Sequence, residues 1–410
     1  MPALFETYSR LTKQGHSVQV VLPPFNVFDP TIKNEDKDGT QSLRMHRFYL
    51  PRGLLDLLEK MQRAATETRI VLGLIRAVKV GLWTALFSCL GLRKAAQVAR
   101  IEGADIVIGH TYLGMFPAFA LARRLGVPSV ARIHGTNESS FALSPSTRSL
   151  VSSPELFSLR LPMNRFVIDD DGTRGDHVAR AAGVPPSRIA LIPNAVDREA
   201  LLESHDRVHV RKLMGIDPSA IVIITVSRLA SWKRVDRMVI AMSKITRGRK
   251  VVCMVIGDGP EKALLLRLAR LVHEEDRVNF VGAVDHDKIG LYFAISDIFV
   301  STNDLTNFCI PLLEAMTCGK CVVTLNNGGT SRLIQNRKNG ILLEPSAVER
   351  LPLVINELIE NLQLRESLGR NAKEFAKDNI LSWDARAKLE LGLYSDLLHR
   401  EIKNSSPTVS

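Results

Sequence analysis

Two cationic residues of this sequence, Arg228 and Lys233, have the side-chain charge and the spacing that a binding or catalytic site could use. They stand in the segment VSRLASWKRVD, directly after an apolar run that begins at Ile221 and predicts a buried strand. Ligands of open α/β sheets bind at the carboxyl ends of the strands, where these two side chains would lie. A guanidinium and an ammonium held there would present two positive charges to a diphosphate.

Apolar runs that alternate with helical patterns predict the parallel strands that must position these residues. A first series consists of SVQVVLP, ADIVIGH, SVARIHG, RFVIDD and IALIPN. A second series consists of IVIITVS, VVCMVIG, VNFVG, DIFVST, CVVTLN and GILLEP. The pattern predicts an α/β fold with two Rossmann-like domains.

A polar stretch that ends in Asp217-Pro218 carries no strand pattern and separates the two series. We therefore expect an N-terminal domain over residues 1–212 and a C-terminal domain over residues 213–380. A helix over residues 381–404, with Ser382 as its N-cap, is expected to return to the N-terminal domain. Residues 405–410 predict a disordered tail.

The beginning of the chain lacks the central strand and glycine-rich turn with which a doubly wound domain normally opens. Residues Pro2 to Gln14 predict a helix, and the first strand comes only at Ser17. Either the chain begins at an internal methionine, or the sheet has no strand at its middle. We favour the first explanation, because an unfilled central position leaves unpaired backbone groups on two neighbouring strands.

The formal net charge of +11 would suit nucleic acid, an anionic membrane or phosphorylated substrates. The basic residues are scattered and no helix-turn-helix or RNP-like pattern accompanies them, so we expect no nucleic-acid partner. Five cysteines without a signal peptide favour a reducing, cytoplasmic compartment. Cys318 and Cys321 form a single CxxC, which we interpret as packing residues rather than as part of a zinc site.

The apolar segment from Val80 to Leu92 is too short to span a bilayer. Trp83 and Phe87 stand four residues apart in it, and basic residues flank it on both sides. The segment is therefore either a core helix, which we favour, or a helix on an anionic membrane surface.

The order of motifs after Arg228 and Lys233 adds the specificity that two cations alone would lack. It runs from GDGP through VNFVG and DIFVST to LLEAMTCGK. This order resembles the family 4 retaining glycosyltransferases of the GT-B fold, and the resemblance covers nearly the whole chain. It implies an N-terminal acceptor-binding domain and a C-terminal domain that binds a nucleoside-diphosphate sugar.

The resemblance also implies a role for individual residues. Arg228 and Lys233 would bind the donor pyrophosphate and support catalysis, in place of a metal, so no cofactor is expected. Glu314 would hold the ribose hydroxyls, for which a carboxylate is suited because it accepts two hydrogen bonds. The backbone of three residues would face the donor sugar and its phosphate, and two more residues would contact the donor. The first three are Phe308, Cys309 and Ile310, and the other two are Gly257 and Val284.

The sequence departs from the family pattern just before Glu314. Thr306 stands where the family has a glutamate that contacts the sugar, and Asn307 and Cys309 replace the two glycines that flank Phe308. Asp304 could reach the sugar instead. We interpret this stretch as a subfamily variant of the donor site.

Two histidines end strands of the first series. His110 follows ADIVIG and His134 follows SVARI, and both resemble histidines that the family places at the cleft. The resemblance gives His134 a catalytic role near the sugar, and His110 and Gly135 a place on the acceptor side. A glycine after His134 would permit close approach of the backbone. Asn194 and Asp197 match a stretch to which we assign a structural role.

Asp169 and Asp171 have the DxD spacing of metal-dependent glycosyltransferases. A helical pattern follows them, so we interpret them as helix-capping residues rather than as metal ligands.

The function that the resemblance implies is transfer of a hexose from a nucleotide sugar to a glycan or lipid-linked acceptor, as in polysaccharide biosynthesis. The enzyme would act in the cytoplasm or at the inner face of a membrane. The alternatives are a nucleotide-sugar epimerase of the same fold and a catalytically impaired carbohydrate-binding homologue.

Overall fold

The computed structural model describes residues 2–22, 43–47, 69–135, 156–203 and 206–405. The chain divides into two compact units. Unit 1 comprises Met1–Asp170, Arg174–Ile192 and Asp384–Ser410, and unit 2 comprises Asp171–Thr173 and Pro193–Trp383.

Strands and helices alternate through most of the described chain. The strands are β1 (Val18–Leu22), β2 (Leu43–Arg47), β3 (Val107–His110), β4 (Ser129–Ile133), β5 (Arg165–Asp170), β6 (Ile189–Pro193), β7 (Ala195–Val196), β8 (Ile221–Val226), β9 (Val251–Ile256), β10 (Val278–Gly282), β11 (Ile298–Ser301), β12 (Cys321–Leu325), β13 (Ile341–Leu343) and β14 (Leu381–Ser382). The helices are α1 (Pro2–Lys13), α2 (Arg69–Glu102), α3 (Thr111–Leu125), α4 (Gly175–Ala181), α5 (Arg198–Leu202), α6 (Arg207–Leu213), α7 (Val235–Met242), α8 (Lys262–Leu271), α9 (Ile289–Ile295), α10 (Ile310–Thr317), α11 (Leu351–Glu360), α12 (Leu362–Asn379) and α13 (Trp383–Ser405).

Unit 1 contains a two-stranded sheet, β1 and β2, and a four-stranded sheet in the order β3-β4-β5-β6. The inward side chains alternate between the two faces of the larger sheet, as the pleat requires. Ala131, Phe166 and Ile168 pack in one core cluster, whereas Val130 and Val167 pack in another. Among the described residues no strand joins the two sheets.

Unit 2 is built on a six-stranded sheet in which every neighbouring pair is parallel, in the order β10-β9-β8-β11-β12-β13. Ile223 packs on one face of this sheet and Ile224 on the other. Helices cover both faces, which explains why the strands are continuous apolar runs. All six strands of the second series were predicted from these runs, and the structure confirms them.

Unit 2 begins at Pro193, earlier than the expected boundary at residues 212 and 213. The reason is that β7 pairs with β14, while α5 and α6 pack against α9. The sequence did not predict β7 and β14, which are two residues each, or β2, in which charged residues alternate with Leu43 and Met45. Residues from Asp384 onward group with unit 1, the unit to which we expected the last helix to return.

The segment from Val80 to Leu92 lies within α2. The side chains of Trp83 and Phe87, on which the membrane hypothesis rests, lie outside the described residues, as does the predicted tail from residue 406 onward. In the described part of the chain, no helix combines the length and the apolar character needed to cross a bilayer.

Cys318 and Cys321 are packing residues, as predicted. Both thiols are free, and the two side chains contact core clusters on opposite faces of the six-stranded sheet. Within the described residues no group of three or more potential ligands could hold a metal ion.

Candidate functional site

Main-chain hydrogen bonds lock together the loops at the carboxyl ends of β8, β9 and β10. The Gly257 N–H donates to the carbonyl of Gly282 at 2.8 Å, and the Leu229 N–H donates to the carbonyl of Asp258 at 2.9 Å. Gly257 has a φ of +130°, and a Cβ there would lie 1.9 Å from the carbonyl oxygen of Ser227. Only glycine allows this close approach, so the predicted donor contact Gly257 also fixes the loop that carries Arg228.

Arg228 and Lys233 follow β8 and form no ion pair with any described acidic residue. The Arg228 side chain is exposed. The Lys233 ammonium lies 4.0 Å from the centre of the Trp232 ring, a cation–π contact that neutralises no charge. Burial lowers the pKa of Lys233, while Cys309 and Asp171 act in the opposite direction. Two cations without a carboxylate partner at the end of a parallel strand form a candidate anion site.

Asp304, the expected sugar contact, is held by two arginines. Its carboxylate lies 3.2 Å from Arg234 Nη1 and 2.7 Å from Arg237 Nη2. The side chain remains 44% exposed, so these ion pairs orient Asp304 without covering it. Arg234 and Arg237 are therefore neutralised, unlike Arg228 and Lys233.

Thr306 stands where the family pattern has a glutamate, and it packs closely between two glycines. Its hydroxyl donates to the carbonyl of Asp171 at 2.9 Å and accepts from the Phe308 N–H at 3.0 Å. Gly172 and Gly328 both have positive φ, and a Cβ on either would lie within 2.4 Å of the Thr306 hydroxyl. The small side chain and its two glycine neighbours are thus matched in size.

Asn307 holds the loop between β11 and α10, although it stands in the place of a family glycine. The side chain is fully buried. Its carbonyl oxygen accepts from the Ser301 hydroxyl at 2.7 Å and the Asn303 N–H at 2.9 Å. Its amide nitrogen donates to the Asn303 carbonyl at 3.0 Å and to Asn327 Oδ1 at 2.7 Å. Sequence reasoning missed this network, whose only signal was an asparagine at an expected glycine.

The first turn of α10 places the remaining motif residues. Cys309 is the N-cap, Ile310 is the first helical residue, and no side chain caps the helix. Phe308 is buried, with the Arg332 guanidinium 4.7 Å from its ring centre. Burial raises the pKa of the Cys309 thiol, against the effect of nearby Lys233. The N-terminal end of a helix favours negative charge, which suits a phosphate.

Glu314, one turn further along α10, is a buried carboxylate with spare hydrogen-bonding capacity. It is 2% exposed, and its Oε1 atom makes no hydrogen bond to any described residue. His286 Nε2 lies 3.1 Å from this oxygen. A buried carboxylate with an open acceptor atom suits a pair of ligand hydroxyls. Val284 lies in the short segment between β10 and the turn His286–Lys288.

In unit 1, His110 and His134 belong to a chain of hydrogen bonds. His134 Nδ1 lies 2.8 Å from Asp169 Oδ2, and His134 Nε2 lies 2.9 Å from His110 Nδ1. His110 Nε2 is in turn hydrogen-bonded to the Tyr8 hydroxyl. The imidazole rings are stacked at 8°, with centres 5.1 Å apart.

An ionised Asp169 determines the tautomers along this chain. It accepts only, so His134 donates from Nδ1. When the His134 ring is neutral, its Nε2 accepts from His110 Nδ1, and His110 Nε2 then accepts from Tyr8. Burial, together with His134 and Arg132, holds the pKa of His110 well below its usual value and keeps the ring neutral. Both ring nitrogens of His134 therefore make hydrogen bonds within unit 1. Gly135, the next residue, has a φ of +100°.

Asp169 also anchors a buried cluster of charges. Arg132 Nη1 lies 2.7 Å from Asp169 Oδ1, and Arg132 Nη2 lies 2.8 Å from Glu390 Oε1. Arg386 bridges the same two carboxylates, and the Tyr394 hydroxyl donates to Glu390 at 3.0 Å. Burial alone would raise the pKa of Asp169, but Arg132, His134 and Arg386 together lower it far below its usual value.

The capping interpretation of Asp169 and Asp171 is wrong. Helix α4 starts at Gly175 with Arg174 as N-cap, and no side chain caps it. Asp171 instead closes a turn, since its Oδ1 atom accepts from the Thr173 N–H at 3.0 Å and from the Thr173 hydroxyl at 2.7 Å. Asp197 caps α5 through the Ala200 N–H at 3.2 Å, which is the structural role expected for it.

Two family profiles match this chain over most of its length. Residues 4–200 match the family described as Glycosyltransferase Family 4, and residues 209–375 match Glycosyl transferases group 1. The chain belongs to the family 4 glycosyltransferases. This identifies it as an enzyme of the glycosyltransferase class, in agreement with the motif order.

Individual relatives agree with this family. N-acetyl-alpha-D-glucosaminyl L-malate synthase of Bacillus anthracis is 27% identical over 76% of this chain and 79% of its own. Sucrose-phosphate synthase of Thermosynechococcus elongatus has a TM-score of 0.73 at 17% identity, over 97% of this chain and 93% of its own. HepE of Anabaena, solved with UDP-glucose, has a TM-score of 0.65 at 21% identity, over 75% and 82% of the two chains. The structural likeness identifies the GT-B fold.

Proposed function

We propose that this glycosyltransferase moves a hexose from a nucleoside-diphosphate sugar to an acceptor hydroxyl, with retention of configuration at the anomeric carbon. The observation that carries the proposal is the contrast between four neighbouring cations. Arg228 and Lys233 have no carboxylate partner among the described residues, whereas Arg234 and Arg237 share Asp304. The unneutralised pair supports binding of a diphosphate.

The chemistry of unit 2 suits departure of a diphosphate without a metal. Cleavage of the bond between the sugar and the diphosphate adds negative charge to the leaving group. Arg228, Lys233 and the N-terminal end of α10 would stabilise this charge, and fixed groups of this kind lower the barrier because they need no reorganisation. Glu314 would accept hydrogen bonds from the ribose hydroxyls, and Asp304 would contact the sugar in place of the glutamate that Thr306 replaces.

A donor screen tests the proposal. We expect UDP-, GDP- or ADP-sugars to raise the melting temperature, with UDP-sugars the first choice because HepE was solved with UDP-glucose. A ligand at a hundredfold its Kd stabilises a protein by about 2.7 kcal/mol, which a thermal-shift assay detects. The donor that binds is then incubated with and without acceptors, and NMR coupling constants give the anomeric configuration of the product.

The outcomes separate the proposal from its alternatives. Transfer with retention supports it, whereas inversion contradicts the proposed stereochemistry. Isomerised or hydrolysed donor without any acceptor would favour an epimerase, and donor binding without turnover would favour an impaired homologue. The acceptor panel includes glycans, lipid-linked sugars and L-malate, since the Bacillus anthracis relative is named as an L-malate synthase.

We further propose an acceptor at an anionic membrane surface on the cytoplasmic side. The net charge of +11 and the apolar segment from Val80 to Leu92 support the membrane, and five free cysteines support the reducing compartment. We expect the protein to float with vesicles that contain phosphatidylglycerol at low salt and to stay behind with neutral vesicles. Absence from the anionic vesicles as well would contradict the membrane proposal.

A further inference from the structure

Glu314 is a buried carboxylate for which the described residues offer little compensation. It is 2% exposed, and its neighbours Leu312, Leu313, Ala315 and Met316 on α10 all point into the core. No lysine or arginine among the described residues forms an ion pair with it. A buried carboxylate is costly without a polar partner, so the group that stands beside Glu314 is suited to fix its orientation.

His286 stands in that place. It begins the short helical turn His286–Lys288 after β10, and its Nε2 atom lies 3.1 Å from Glu314 Oε1. The two atoms are at ion-pair distance without the angle of a hydrogen bond, since Oε1 remains without a hydrogen-bonding donor. With a proton on Nε2, the imidazole would partner the carboxylate and still leave its lone pairs available to a ligand.

The turn that carries His286 is tied to the same edge of the sheet as the two cations. Gly282 ends β10, and its carbonyl accepts from the N–H of Gly257, which follows β9. Gly257 in turn packs on the backbone of Ser227, next to Arg228. Rigid backbone contacts thus connect the position of His286 to the proposed diphosphate site.

We propose that His286 is a positioning residue of the donor site, which orients the Glu314 carboxylate to accept the ribose hydroxyls. The inference rests on the proposed function and adds a residue to it. Without the imidazole, the buried carboxylate loses its neighbour at 3.1 Å and can turn away from the ribose, so it accepts fewer hydrogen bonds from the hydroxyls. His286 acts through Glu314 and touches neither the sugar nor the diphosphate.

The experiment compares ribose with 2′-deoxyribose. Calorimetry gives the Kd of whichever of UDP, GDP and ADP binds the wild type most tightly, and the Kd of its 2′-deoxy form. We expect the wild type to prefer the ribose form by at least about tenfold, the value of one hydrogen bond to a charged group. His286→Ala and Glu314→Ala should both reduce that ratio to near one, and His286→Gln, which keeps an N–H donor, should restore most of it. The control His209→Ala removes an exposed histidine of unit 2 and should keep the wild-type ratio.

Each outcome decides the inference. An equal loss of affinity for both nucleotides in His286→Ala, or an unchanged ratio, overturns the role of His286. A wild-type ratio in Glu314→Ala overturns the ribose contact of the proposed function together with the inference. If no nucleoside diphosphate binds the wild type, the proposed function fails. Thermal unfolding of the variants then tests whether His286 and Glu314 are coupled. If the melting temperature of the double variant falls by the sum of the losses in His286→Ala and Glu314→Ala, the two residues are not coupled.

Discussion

Lys233→Ala is expected to lower kcat for sugar transfer by about 10²- to 10³-fold, the usual cost of removing one group that stabilises developing negative charge. Arg228→Ala should have an effect of similar size. Burial lowers the pKa of Lys233 and therefore disfavours its charged form in the free protein. The variant should accordingly unfold at a temperature no lower than the wild type, which separates loss of catalysis from loss of fold.

The lowered pKa of Lys233 also predicts a pH dependence. The charged form binds the diphosphate, so kcat/KM should fall on the alkaline side at a pH below the ordinary lysine value of about 10.4. Lys233→Arg, which keeps its charge, should move this decline to higher pH.

The matched control for these variants is Lys250→Ala. Lys250 precedes β9, at the opposite end of the strand, and is 69% exposed in an ion pair with Asp217. Lys250→Ala should keep the wild-type kcat, because a surface ion pair at that end of the sheet has no contact with the donor. Retention of more than half of the wild-type kcat in both Lys233→Ala and Arg228→Ala would refute the proposed diphosphate site.

Asp169→Ala is expected to destabilise unit 1 by about 3–5 kcal/mol, the cost of leaving buried charges without their partner. Arg132 and Arg386 are 3% and 0% exposed, and each would lose one of the two carboxylates with which it forms an ion pair. His134 would lose the acceptor of its Nδ1 proton, and with it the fixed tautomer. Urea unfolding, followed by tyrosine fluorescence and circular dichroism, measures the change in free energy.

The pH dependence of this loss follows from the lowered pKa of Asp169. A carboxylate with a lowered pKa contributes stability that is fully present above its unfolded value, about 3.9, and is lost as pH falls toward the folded value. The difference in unfolding free energy between wild type and Asp169→Asn should therefore be constant above about pH 5 and shrink below about pH 4. Glu102→Ala is the control, because its exposed pair with Arg44 contributes at most about 1 kcal/mol. A loss no larger in Asp169→Ala than in this control would contradict a structural role for the cluster.

The sequence was sufficient for the strands of the four-stranded and six-stranded sheets, because buried parallel strands are continuous apolar runs. It was insufficient for β2, whose side chains include Arg44 and His46. It was also insufficient for the start of unit 2, because the pairing of Ala195 with Leu381 joins residues far apart in the chain. Such pairing leaves no local pattern.

The candidate site also contains residues that the sequence indicated and residues that it did not. Arg228, Lys233 and Glu314 could be proposed from the sequence because they occur in an ordered series of motifs. The Asn307 network was missed because its partners come from separate loops. Arg386 and Glu390 stand four residues apart on α13, a spacing typical of an exposed ion pair, and nothing in the sequence indicates that both are buried.

The charge cluster of unit 1 has a consequence for synthesis of the chain. Asp169 and Arg132 emerge from the ribosome early, whereas Arg386 and Glu390 emerge more than 200 residues later. A nascent chain that extends only to residue 380 therefore holds Asp169 and Arg132 without their later partners, Arg386 and Glu390. Unit 1, although its first segment is translated first, acquires these buried ion pairs only after all of unit 2 has been synthesised.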